Sequence, residues 1–208
     1  LLGHFNPALP YSPEEMQYYD FFFDKQKHAE PYLTPSHIEQ LFGDDFHEIT
    51  EKYLEMTPSG RYSLKPEVNT QRKIEAVFAR LTDQQSLSKK EKLYSLPNEV
   101  LFVQDPDKPG LYHPRISAQQ TQAYQALNVY ERTSFDRLYD DFFYFRHNEF
   151  WEQEALKKLP PLISATDMLT CGEDLGMIPA CVPHVMDKLK ILSLEIQRMP
   201  KELGRSFA

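Results

Sequence analysis

Asp167-Met168-Leu169-Thr170-Cys171-Gly172-Glu173-Asp174-Leu175-Gly176-Met177-Ile178-Pro179 is a compact apolar run that stops at two carboxylates set between glycines. Met168–Gly172 has the length of a short strand and is flanked by residues that break regular structure. Pro179 then opens a helix carrying Val182, Val185, Met186 and Leu189, and Ile191–Ile196 reads as a second strand. Strand, helix and strand with short links predict a βαβ unit, parallel and with a right-handed crossover. Parallel strands want cover on both faces, so the unit is expected to be a slice of a larger sheet or barrel.

In parallel α/β architectures ligands collect beyond the carboxyl ends of the strands. Glu173 and Asp174 stand at such an end, with Gly172 and Gly176 keeping the backbone slim around them. A carboxylic acid at a barrel mouth can serve as a general acid, because partial desolvation favours its protonated form. The competing reading is structural: both residues as helix-start acids that meet the positive end of the next helix. Spacing alone leaves the two readings open for Glu173 and favours the structural one for Asp174.

Upstream, the chain reads as mainly helical. Ser12-Pro13-Glu14-Glu15 is a capping box with Pro at the first helical position, opening a short helix through Tyr19. Phe21-Phe22-Phe23 reads as a buried strand or turn rather than an exposed sugar platform. Thr34-Pro35 starts a helix burying Ile38, Leu41 and Phe42 and stopped by Gly43, and Asp44 or Asp45 is expected to cap the next. Thr57-Pro58-Ser59-Gly60 and Asp105–Gly110 predict two hairpin turns. Between them lie a helix capped by Asn69 or Thr70 and another near Lys89–Leu96. Two long helices are expected after the second hairpin, at about 118–129 and 134–159. The second carries a stripe of Phe135, Leu138, Tyr139, Phe142, Phe145 and Phe150, and Pro160-Pro161 should break it.

Composition narrows the function classes. The 208 residues are 41% hydrophobic and 13% aromatic, with 14 Phe and 12 Tyr, which is too apolar for a solvated coil. A net charge of −8, with Lys and Arg interspersed among acids, argues against nucleic acid, which needs a concentrated basic face. No apolar run approaches the roughly 20 residues of a membrane span. The start at Leu1 lacks Met and any signal-peptide pattern, which predicts an internal boundary and a cytoplasmic protein. Cys171 and Cys181, ten positions apart with no matching His pair, read as reduced structural thiols. No metal or cofactor is expected.

The 167–179 stretch resembles the segment around the acid/base residue of the 4-alpha-glucanotransferases, the amylomaltase or disproportionating-enzyme family of glycoside hydrolase family 77. Ile196-Gln197-Arg198-Met199-Pro200 resembles the next strand of the plant-type branch and its bacterial relatives. Gly3-His4-Phe5-Asn6-Pro7-Ala8-Leu9-Pro10 is similar to the segment after the nucleophile strand, and Arg146-His147-Asn148 through Trp151 also match in style. The likeness is strong over about 139–200 and weak over about 25–95. It implies a (β/α)8 barrel, here a mainly α fragment with a small α/β part, and a retaining mechanism with the two carboxyl groups about 5–5.5 Å apart. It assigns Glu173 as acid/base, Asp174 as a residue that orders the loop or touches sugar, and Arg198 as a sugar contact. A buried salt bridge is the equal alternative for Arg198.

The same resemblance divides the chain into residues 1–30 after the nucleophile strand, a helical insertion at 31–150, and the βαβ segment at 151–208. The family's Arg-x-Asp-His nucleophile motif and its Thr-His-Asp motif do not occur in the 208 residues, so the chain taken alone should be inert. The expected partners are maltose, maltodextrins or glucans, with a second copy able to pair through exposed strand edges. Two alternatives stand beside this: a helical interaction module without catalysis, and a parent enzyme that hydrolyses α-glucosides instead of transferring.

Overall fold

The computed structural model describes residues 9–173 and 178–194. Among these, helices predominate, with three two-stranded sheets. In chain order the elements are α1 (Pro13–Met16), α2 (Lys25–His28), α3 (Pro35–Phe42), α4 (Phe46–Tyr53), β1 (Leu54–Met56) and β2 (Tyr62–Leu64). They continue with α5 (Gln71–Phe78), α6 (Gln84–Ser95), β3 (Phe102–Gln104), β4 (Tyr112–Pro114), α7 (Gln122–Gln125) and α8 (Val129–Asp140). Last come α9 (Asn148–Ser164), β5 (Cys171–Gly172), α10 (Cys181–Leu189) and β6 (Leu192–Ser193). The chain divides into two compact units, 1–138 and 139–208, with the division falling inside α8. No helix among the described residues is long and apolar enough to cross a membrane.

The first unit is built on local signals that work. Ser12 and Glu15 close the capping box of α1 reciprocally. Thr34, Thr70 and Asp83 each accept a backbone N–H at the start of α3, α5 and α6. Both hairpins form, with Leu54 opposite Leu64 in one and Phe102 opposite Pro114 in the other. Ile38, Phe42, Ile49, Leu54, Ile74 and Leu93 make one buried cluster. The aromatic N-terminal segment supplies a second: Phe21 lies 5.5 Å from Phe102, which meets Phe135 edge-on at 5.5 Å. Tyr11 pairs with Tyr112 and so joins this segment to β4.

Several expectations need correction. Asp45 precedes α4 without capping it; its carboxylate holds the buried Lys89 ammonium at 3.0 Å instead, beside Glu48 at 2.6 Å. Phe21-Phe22-Phe23 forms no strand, and Phe22 is 71% exposed while Phe21 is buried. The expected helix at 118–129 is cut into a 3-10 turn, α7 and the start of α8. Thr121 caps α7, and Asn128 forms a second capping box with Glu131, so the chain stops and restarts twice.

The long helix at 134–159 is also interrupted. Asp141–Phe145 is a π turn, closed by Arg146 N–H donating to the Asp141 carbonyl at 2.7 Å. A π turn inserts one residue, so the apolar stripe slips in phase: Phe142 and Phe143 are buried, while Phe145 is 66% exposed. Pro160 and Pro161, expected to break the helix, lie inside α9. The proline ring imposes a φ of about −65°, which is already helical, so its cost is the missing N–H donor and the crowding of its ring on the carbonyl four residues back. Those losses fall in the final part of α9, where Lys157, Lys158, Pro161 and Leu162 are exposed and water can serve the freed carbonyls.

Candidate active-site strand

The second unit brings β5 and β6 together as a parallel pair, Cys171 opposite Leu192 and Gly172 opposite Ser193. Leu192 N–H donates to Thr170 at 3.0 Å and Leu194 N–H to Gly172 at 3.1 Å, so the two carboxyl ends leave the pair on the same side. Helix α10 connects them, which completes the βαβ unit. Glu173 is the first residue after β5 and is exposed, standing at a strand end and not within a helix. Asp174 and Arg198 lie outside the described residues, as do Gly176 and the Arg198-Met199-Pro200 stretch.

What holds this strand end in place is legible residue by residue. Gly172 packs under α10: a β-carbon there would stand 3.2 Å from Met186 Cε and 3.3 Å from Ile191 Cγ2. The glycine lets helix and strand approach. Lys190 ends α10 in the left-handed region at φ 55°, and Ile191 N–H then donates back to the Met186 carbonyl at 2.9 Å. That wrap turns the chain directly from the helix into β6.

Asn148 governs the other end of α10. Its Oδ1 accepts the Cys181 N–H at 3.3 Å, one of the helix-start donors that need a partner. Its Nδ2 donates to the Tyr144 carbonyl at 2.9 Å, which fixes the amide. His147, buried beside it, has Nδ1 3.0 Å from the Phe142 carbonyl and its ring tilted on Trp151 at 5.2 Å. The 146–151 segment therefore anchors α9 and, through Asn148, the helix α10. The sequence places Asn148 inside one continuous helix over 134–159; its capping role exists because the π turn makes it the first residue of α9.

Val185, Met186 and Cys181 bury one face of α10, and a trough of about 480 Å³ lined by Trp151, Ala155 and Leu159 runs beside it. Burial pushes the Cys181 thiol pKa up; Cys171 is exposed, and both cysteines are free. Leu162, Met168 and Leu169 are largely exposed, as in part are Leu192 in β6 and Leu194 just after it. Among the described residues no group of three or more His, Cys, Asp or Glu side chains gathers as a metal site.

Comparison with known proteins gives this parallel βαβ unit a family. The chain belongs to the 4-alpha-glucanotransferase family, glycoside hydrolase family 77, whose model matches residues 13–208. It is 33% identical over 212 residues to the 4-alpha-glucanotransferase DPE2 of Oryza sativa subsp. japonica, a match covering all of this chain and 22% of that relative. The chain thus spans about a fifth of that relative's length. No solved structure matches it.

Proposed function

We propose that this chain is the acid/base-bearing segment of a retaining (β/α)8-barrel 4-alpha-glucanotransferase. The enzyme would transfer α-1,4-linked glucosyl units from maltose or maltodextrins to glucan acceptors in the cytoplasm. The observation that carries the reading is Glu173 at the carboxyl end of β5 in a parallel βαβ unit, within a chain of this family. In this reading Glu173 protonates the glycosidic oxygen as the donor bond breaks. It then takes the proton of the acceptor hydroxyl as the glycosyl group is passed on. Asp174 and Arg198 contact the sugar or order the loop around it.

The nucleophilic carboxylate belongs to a motif that these 208 residues do not contain. Residues 31–150 act as an insertion between the nucleophile and the acid/base segments. In the 208-residue chain alone, maltose should therefore yield neither glucose nor longer dextrins, since losing a nucleophile removes most of the acceleration. Glu173→Gln in the intact enzyme tests the assignment. Transfer from maltose should fall while the fold survives, and retained transfer would remove Glu173 from the chemistry. Product analysis in the same assay separates transfer, which lengthens dextrins, from hydrolysis, which releases glucose alone.

A further inference from the structure

The first unit holds a cleft of about 640 Å³ that the acid/base segment does not use. One wall is the β1–β2 hairpin with its Thr57–Gly60 turn, and the other is the end of α2 with Glu30 and Pro31. The frame is fixed from behind. Leu33, Leu54 and Val68 are fully or almost fully buried, and Tyr62 N–H donates to the Leu33 carbonyl at 2.8 Å, tying the hairpin to the chain before α3. Thr57 locks the turn, its N–H and its hydroxyl each donating to the Arg61 carbonyl at 2.8 Å. Side chains carried by this hairpin are therefore held in place before any ligand arrives.

The lining combines three kinds of group. Tyr62 and Pro58 give flat apolar surface, Ser63 and Asn69 give neutral hydrogen-bonding groups, and Arg61 and Glu30 give one strong donor fork and one strong acceptor. The Arg61 guanidinium lies over the Tyr32 ring at 4.9 Å, and its Nη1 is buried with no hydrogen-bond partner among the described residues. Arg61 Nε donates to the Ser59 hydroxyl at 3.4 Å, which with the ring stack holds the guanidinium in the cleft wall, where the rest of its fork can donate to a ligand hydroxyl oxygen. The two charges balance, so the cleft does not select an anion: phosphate recognition favours clustered cations and would be opposed by Glu30. A neutral polyol offers donors and acceptors together with an apolar ring face, which matches this set. The volume falls in the range of small-ligand sites.

We propose that this cleft is an additional α-glucan site carried by the first unit, binding a short maltodextrin through Arg61, Glu30, Ser63 and Asn69 with the Tyr62 ring beneath a sugar face. The choice of glucan over other saccharides rests on the glucanotransferase reading above. The site requires no catalysis and would hold donor or acceptor chains on the enzyme. The 208-residue chain is titrated with maltoheptaose by calorimetry, with cellohexaose as the linkage control and thermal melts to check folding.

Saturable binding of maltoheptaose over cellohexaose is expected. Arg61→Ala should weaken it on the order of tenfold or more, the loss that accompanies a hydrogen bond to a charged group. Asn69→Ala, at an exposed position outside the core, should weaken it several-fold, and it reads the site even where Arg61→Ala disturbs the turn. Absence of binding, equal binding of cellohexaose, or affinity indifferent to Asn69→Ala each overturns the proposal. None of these results measures transfer, so the role of Glu173 stands or falls separately on the maltose assay.

Discussion

Gly172 lies close under Met186: a β-carbon there would stand 3.2 Å from Met186 Cε, tighter than an ordinary contact. Ile191 Cγ2 closes the other side at 3.3 Å. Met186 is a flexible thioether that can give way, whereas Ile191 is β-branched and stiff. Gly172→Ala should therefore lower the melting temperature slightly, and Gly172→Val should cost about 1–3 kcal/mol through overpacking. Circular-dichroism melts of the three proteins check the order. A Val variant as stable as wild type would mean that α10 does not press on the strand that carries Glu173.

Asn148 offers a second test of the same scaffold. Truncation to Ala removes the acceptor of the Cys181 N–H and the donor to the Tyr144 carbonyl together. The expected loss is about 1 kcal/mol, the usual worth of a side-chain cap. Asn148→Asp keeps the acceptor and adds negative charge at a helix N-terminus, which is favourable, but gives up the donor. It should fall between Asn and Ala in urea unfolding. Ala and Asn unfolding at the same midpoint would contradict the capping role.

His28 makes stability depend on pH. It is buried, its Nδ1 accepts the Asp24 N–H at 2.9 Å, and its ring packs 4.8 Å from that of Phe21. Burial, aided by the neighbouring Lys27 charge, lowers its pKa to about 4. The folded-state pKa is depressed below the unfolded value near 6.5, so the unfolded chain binds more protons between those limits. Stability from this residue is fully present above about pH 6.5 and lost as pH falls towards 4, by on the order of 3 kcal/mol at most. Denaturant midpoints measured from pH 7 to pH 4.5 should decline, and His28→Gln should flatten that part of the curve. An unchanged slope in the variant would assign the decline to the carboxylates instead.

Local chemistry was legible in the sequence, and non-local convergence was not. The turn at Thr57–Gly60, the caps at Ser12, Thr34 and Thr70, and the run from Met168 to Pro179 each announce themselves within a few residues. Their elements form at those places, with Glu173 at a strand end. The strand expected over Met168–Gly172, however, is only Cys171–Gly172, with Met168 and Leu169 exposed ahead of it, and the second strand is Leu192–Ser193 within the expected Ile191–Ile196. The π turn at 141–145 left no such mark, because a continuous aromatic run hides a one-residue slip in phase. Pro160 and Pro161 misled for the opposite reason: a strong local breaker was overridden in the outer turns of α9. The Arg61 cleft could not be read at all, since its walls come from residues 26–31 and 57–69 and meet only when the hairpin folds back.

The sharpest functional prediction separates a proton-donating Glu173 from a structural one. Gln keeps the size of Glu and much of its hydrogen bonding but cannot protonate a leaving oxygen. On maltose, whose leaving group is a sugar hydroxyl, Glu173→Gln in the intact enzyme should slow transfer by about 10²–10⁴-fold, the contribution of a general acid. On α-glucosyl fluoride the leaving group departs without protonation, so formation of the glycosyl-enzyme should be much less affected. The exposed setting of Glu173 beyond Gly172 permits the exchange without disturbing the packing of α10 on β5. Burst kinetics with the fluoride, set beside steady-state transfer from maltose, measure the two steps apart. Equal loss on both donors would show that Glu173 holds the loop rather than the proton.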